Sequence, residues 1–131
     1  MRKERDTPET IAALDADKSN LLLEAFMLIG TGQPEEAIER YAIAAPMEAR
    51  IARYYSRAGN KDMAARHWFS AAICYAKSGS LRDALKLFDA LGRDRDTPGQ
   101  YKGDALLWAG RLRQQQRETL QAYGHSIQSA A

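Results

Sequence analysis

The sequence is poor in the residues that usually carry chemistry. It holds one cysteine, Cys74, among 131 residues, so no intramolecular disulfide can form, and a lone thiol in an apolar run suits a reducing interior. Of its two histidines, His67 stands beside Trp68 with no His, Cys or acidic residue at ligand spacing, and His125 falls in the last stretch of the chain. Metal and nucleophile sites need several convergent groups, so both are read as structural or surface residues. Gly30 and Gly32 follow a helical stretch and no Lys-Ser/Thr pair succeeds them, which excludes a phosphate-binding loop. No segment alternates with the period of two that a half-buried strand requires. The longest apolar run, Leu21 to Ile29, is interrupted by Glu24 and is too short to span a bilayer. One sign of charge hardly exceeds the other: 19 basic against 17 acidic residues leave +2, too little to argue for nucleic acid. The opening Met-Arg-Lys-Glu-Arg-Asp is not followed by an apolar core and small-residue cleavage site, so no secretory signal is expected. These absences give the expectation of a cytoplasmic protein with no membrane or nucleic-acid partner, no metal, no cofactor and no catalytic residues.

What is present is helical. With 45% hydrophobic and 27% charged residues and only four prolines, the composition is that of a folded, helix-rich chain. At this length a single domain, residues 1–131, can bury roughly 65 to 70% of the surface its unfolded form exposes.

Turn and capping signals divide the chain. Asp6-Thr7-Pro8 is a helix start, a capping side chain followed by proline at a first helical position. Ile11, Leu14, Lys18, Leu21, Ala25 and Leu28 then keep one stripe, as one long helix or as two broken near Ser19. Gly30 to Pro34 is a turn, and a helix from Pro34 to about Ala44 should turn Ala37, Ile38, Tyr41 and Ala44 inward. The residue before proline disfavours helical geometry, so Ala45-Pro46 is expected to end that helix, with Pro46 opening another that runs to Ala58. Further helices are expected at Asp62 to Lys77 and Leu81 to Leu91. Residues 92–100 form a linker, and a last helix at about 101–124 has Tyr101, Ala105, Trp108, Leu112, Leu120 and Tyr123 as its inner stripe. Residues 1–5 and the tail from His125 are expected to fray. The total is six or seven helices, and short turns force successive ones to pack antiparallel.

Within this order one pattern recurs. Gly32, Ala37 and Tyr41 repeat as Gly59, Ala64 and Trp68, and again as Gly79, Ala84 and Phe88. Seven residues before each glycine stand Ala25, Ala52 and Ala72, and four before it stand Leu28, Tyr55 and Tyr75. Covering about 19–91, this unit resembles the tetratricopeptide repeat, a helix-turn-helix in which small residues let two helices approach and large ones fill the gaps. The glycines are 27 and 20 residues apart, against about 34 in that family, so the helix from Asp62 to Lys77 must end one unit and begin the next. The resemblance implies antiparallel hairpins stacked as a short right-handed array with a C-terminal capping helix.

The most specific surface feature is Arg50, Arg53 and Arg57, at i, i+3 and i+7 on one helix face. Aligned to the resemblance, they fall where the family's first helices line a concave groove, which makes them the candidate partner-binding residues. A row of guanidinium groups suits an acidic segment or a terminal carboxylate. The plainer reading is a solvated face with Glu39, Glu48 or Asp62 pairing locally. The functional expectation is a non-catalytic module that binds a protein or peptide. The alternative is a structural subunit, assembling as a homodimer or within a larger complex if the end helices leave apolar surface uncovered.

Overall fold

The computed structural model describes residues 5–130, with side chains described as far as His125. Its described residues form five α-helices: α1 (Pro8–Gly30), α2 (Pro34–Arg57), α3 (Lys61–Lys77), α4 (Leu81–Arg93) and α5 (Gly99–Ala130). Each helix packs on its successor, and α5 also reaches α3. The expected all-helical class is what the chain adopts. Residues 8–30 are one helix. The expected fraying of residues 1–4 lies outside the described residues, whereas the chain from His125 continues as helix to Ala130.

The recurrent pattern has a common structural cause. Gly32, Gly59 and Gly79 are the described residues with positive φ, at 75°, 78° and 87°, a region glycine enters without the clash a Cβ would bring. At each, the amide of the residue after the glycine donates to the carbonyl five residues back along the chain: Gln33 to Leu28 at 2.8 Å, Asn60 to Tyr55 at 2.9 Å and Ser80 to Tyr75 at 2.9 Å. The glycine amides donate to Ile29, Ser56 and Ala76. Together these two bonds make a Schellman turn, which satisfies the last free carbonyls of a helix and reverses the chain. The small residues before and after each turn are buried at the helix crossings: Ala25, Ala52, Ala72 and Ala84 are fully so, and Ala37 and Ala64 nearly so. Three connections, α1–α2, α2–α3 and α3–α4, are therefore one motif used three times.

The sequence expectation fails at Pro46, which lies inside a continuous α2 rather than at the start of a new helix. Ala44, Ala45, Glu48 and Ala49, on both sides of it, are all buried, so tertiary packing holds helical geometry across the proline. Pro46 itself is exposed, as is Ala42, whose carbonyl loses its partner, and solvent can satisfy that carbonyl. Because α2 does not break, it serves two turns just as α3 does, and five helices replace the expected six or seven.

Two clusters of buried residues share α3. Ala25 of α1, Ala37, Tyr41, Ala44 and Ala45 of α2, and Cys74 of α3 make the first. Ala65 and Ala72 of α3 join Phe88 of α4 and Ala105, Ala109 and Leu112 of α5 in the second. Phe88 is fully buried and stacks on Trp108 with ring centroids 5.8 Å apart, so Trp108 docks α5 onto α4. Leu120 and Tyr123, expected inward, are exposed. The physical reason is length: α4 has 13 residues and α5 has 32, about 20 Å against about 48 Å, so α5 outruns anything it could pack on. Ile38, also expected inward, is 43% exposed.

Two substitutions test this packing in thermal melts. Ala72→Leu should overpack the shared helix and destabilise by about 1 to 3 kcal/mol. Pro46→Ala should stabilise by about 1 to 3 kcal/mol, because it restores a helical amide and removes the ring's clash with the preceding turn. A Pro46→Ala chain that melts earlier would show that α2 needs the proline's geometry.

Candidate functional site

The arginine row stands on the outer side of α2. At 100° per residue, Arg57 is about 180° round the helix from Glu48, and Glu48 is fully buried. All three arginines are exposed, yet they have different partners. Arg50 grips the carboxylate of Asp6 with two nitrogens, Nε at 3.0 Å from Oδ2 and Nη2 on Oδ1. That contact ties the chain just before α1 to the middle of α2. The hydrogen bond from Arg50 holds the Asp6 carboxyl below its usual value of 3.8, against the opposing effect of burial, and the charges of Arg50 and Arg57 add to it. Arg53 lies over the indole of Trp68 on α3, 5.9 Å from the ring centroid, within cation–π range. Arg57 has no carboxylate partner among the described residues.

Trp68 also lines a cleft of about 210 Å³ between the end of α2, α3 and the α4–α5 loop, with Ser56, Ala64, Leu91 and Thr97. Lys61 and Asp96 close one edge of it through an ion pair of 2.8 Å. Apolar floor and polar rim meet there beside Arg53.

A second constellation is buried where α1, α2 and α3 converge. Glu48 of α2 has 1% of its side chain exposed and lies 2.7 Å from Lys18 Nζ of α1 and 3.0 Å from His67 Nδ1 of α3. Lys18 Nζ is also 2.8 Å from Asp15. Asp15 Oδ1 and Glu48 Oε1 have no partner aligned as a hydrogen bond, so the Lys18 contacts are ion pairs by distance, and Coulomb attraction does not need the alignment. An ionised carboxylate can only accept, so His67 donates through Nδ1. Its ring also stacks on Tyr55, with centroids 5.6 Å apart and planes at 11°. Burial alone would lower the pKa of Lys18, but its close contacts with the carboxylates of Asp15 and Glu48 outweigh that and raise it.

Asp15, Glu48 and His67 each offer a donor atom, and these lie within 4.8 Å of one another, as a divalent ion would require. The cation between the two carboxylates is supplied by the chain itself, as the Lys18 ammonium. Close by, burial, reinforced by the charge of Glu48, pushes the Cys74 thiol up to about 12, which keeps it protonated and unreactive at neutral pH.

This cluster was not foreseen from sequence, where Glu48 stood as a local partner for the arginines and His67 had no acidic neighbour. A signal existed. Lys18 sits on the stripe of Ile11, Leu14 and Ala25, and a charge at a core position demands a buried partner. Glu48 is in phase with Tyr41, Ala45 and Ala52, but only if α2 runs unbroken past Pro46.

No protein-family model, curated protein or solved structure matches this chain.

Removing one partner of a buried pair leaves the other charge uncompensated, so Lys18→Met should destabilise by about 3 to 5 kcal/mol. Adding Glu48→Leu should recover much of that, with the excess over additivity reporting the coupling. Additive losses in a double-mutant cycle of melts would mean the two charges do not interact. Because the folded pKa of Lys18 is raised, its contribution is complete below the usual 10.5 and should fade as pH rises through the higher folded value. For Asp6, whose folded pKa is lowered, the contribution is complete above 3.8 and should fade as pH falls through the lower value. An Asp6→Asn chain should lose that acid dependence in pH-resolved melts.

Proposed function

We propose that this chain is a non-catalytic, tetratricopeptide-like interaction module of the cytoplasm that holds an acidic peptide or protein segment along Arg50, Arg53 and Arg57. The observation that carries the reading is the grip of Arg50 on Asp6: one turn of the row already holds a carboxylate in a forked contact, which an arginine can make and a lysine cannot. Arg53 and Arg57 repeat the same chemistry on the following turns, and Arg57 keeps its donors free of any carboxylate among the described residues. The cleft beside Trp68 gives an apolar side chain of such a segment a place to go.

A second reading, a structural subunit, is favoured by a separate observation. The outermost helices carry large exposed apolar side chains, Phe26 at 73% and Leu107 at 53% among them.

The first reading is tested by titrating aspartate- and glutamate-rich peptides into the chain. Arg53→Ala and Arg57→Ala should each weaken binding by about 1.5 to 3 kcal/mol, the scale of a hydrogen bond to a charged group. The melting temperature should barely move. Arg50→Ala should also release Asp6 and is therefore the less clean probe. Equal affinity of the wild type and the triple alanine variant would reduce the row to a solvated helix face.

A further inference from the structure

The segment Arg5-Asp6-Thr7-Pro8 recurs as Arg95-Asp96-Thr97-Pro98, and shared capping chemistry does not account for the repetition. Before α1 the segment is a helix start, where Thr7 and Thr10 form a complete capping box and Pro8 takes the first helical position. Before α5 the arrangement differs. Thr97 is buried, and the first hydrogen-bonded amides of α5, those of Tyr101 and Lys102, donate to the carbonyl of Pro98, one residue beyond the place that Thr7 holds.

What the two copies have in common is where their aspartates end. Asp6 is gripped by Arg50 of α2. Asp96 accepts from the Nζ of Lys61, the first residue of α3, at 2.8 Å. Arg50 and Lys61 are the two ends of one run of bases, Arg50, Arg53, Arg57 and Lys61, spaced three, four and four residues apart. The fold keeps that run together. Asp6 feels the charge of Arg57 as well as that of Arg50, Arg53 lies over Trp68, and Trp68, Ser56 and Lys61 line one cleft. Neither middle member, Arg53 or Arg57, pairs with a carboxylate among the described residues. The chain thus sets a carboxylate of its own on each end of a basic run and leaves the middle open.

Both end pairs are of the kind that exchanges. The side chains of Arg50, Lys61 and Asp96 are each more than half exposed, and an exposed ion pair adds little stability, so it opens readily. When Asp6 lets go, the Thr7–Thr10 capping box still holds the start of α1. A second carboxylate can then take the same donors.

We propose that Asp6 and Asp96 are internal competitors of the acidic segment: each occupies one end of the row, and the segment binds by displacing them. This rests on the interaction-module reading and adds a brake to it, which sets how much charge a partner must carry. A ligand with a single carboxylate meets only Arg53 and Arg57. A longer acidic segment gains Arg50 and Lys61 by taking the aspartates' places.

Titration of a short poly-aspartate peptide into the full chain tests it, with Asp6→Asn and Asp96→Asn as variants and Glu9→Gln as control. Glu9 is exposed in the first turn of α1 and pairs with no base among the described residues, so its loss removes the same unit of charge without freeing a base. Asp6→Asn and Asp96→Asn should each tighten binding by about two- to sixfold, because a base held by a weak pair is available only for the fraction of time that the pair is open. Glu9→Gln should tighten it less. In an Arg50→Ala background the gain from Asp6→Asn should vanish while the gain from Asp96→Asn remains, which a general loss of negative charge would not produce. A wild type that binds while Asp6→Asn gains no more than Glu9→Gln, or gains as much without Arg50 as with it, would overturn the competition and leave the interaction module standing. A chain that binds no poly-aspartate even with both aspartates replaced would overturn both.

Discussion

Everything in the first half of the molecule answers to one constraint, the burial of the Glu48 carboxylate. A charge without solvent must be met by opposite charge and by hydrogen-bond donors, or it costs several kcal/mol. Here the ammonium of Lys18 comes from α1 and the Nδ1–H of His67 from α3. Slipping any one of the three helices by a turn would leave the carboxylate without one of these groups. Apolar packing among alanines is tolerant of such slips, because one small side chain resembles another. The ion cluster is not tolerant, and it fixes the register at which α1, α2 and α3 lie together.

Around that fixed point the chain repeats one device. A Schellman turn needs a glycine in left-handed geometry, and a close helix crossing needs a small residue near the turn. The sequence supplies both three times, and every unit borrows a helix from its neighbour. Sharing makes α3 the common wall of two cores, with Cys74 facing one and Ala65 and Ala72 the other. The second core carries the large aromatic contacts, Phe69 against Phe88 and Phe88 against Trp108. The first core carries the ions. A change on α3 is therefore felt on both sides, whereas α1 and α5 each answer to one side only.

That difference leaves the outer helices with surface to spare, and it separates two kinds of surface. The arginine face of α2 is polar and lies beside Trp68 and its small cleft, chemistry suited to a charged, extended segment. The outer faces of α1 and α5 are apolar with charged flanks, chemistry suited to another helix. The two regions need not compete, since the arginines stand on the middle of the helix series and the apolar faces at its ends.

The helical class, the three turns and the alanines at the crossings were legible in the sequence, because each follows from local rules: glycine's freedom at positive φ, proline's fit to a first turn, and a three-four alternation of apolar residues. The arginine row was legible for the same reason, as a spacing on one helix. Its partners were not, since Asp6 reaches it from the chain before α1 and Trp68 from α3. Local rules also misjudged Pro46, where propensity forecast a break and buried neighbours on both sides overrode it, and Leu120 and Tyr123, whose stripe was helical but had no helix to meet. The Lys18–Glu48–His67 cluster belongs wholly to the tertiary structure. Its members are 30 and 19 residues apart along the chain, no spacing rule links them, and only the antiparallel return of three helices through glycine turns brings Lys18 to 2.7 Å and His67 to 3.0 Å from Glu48.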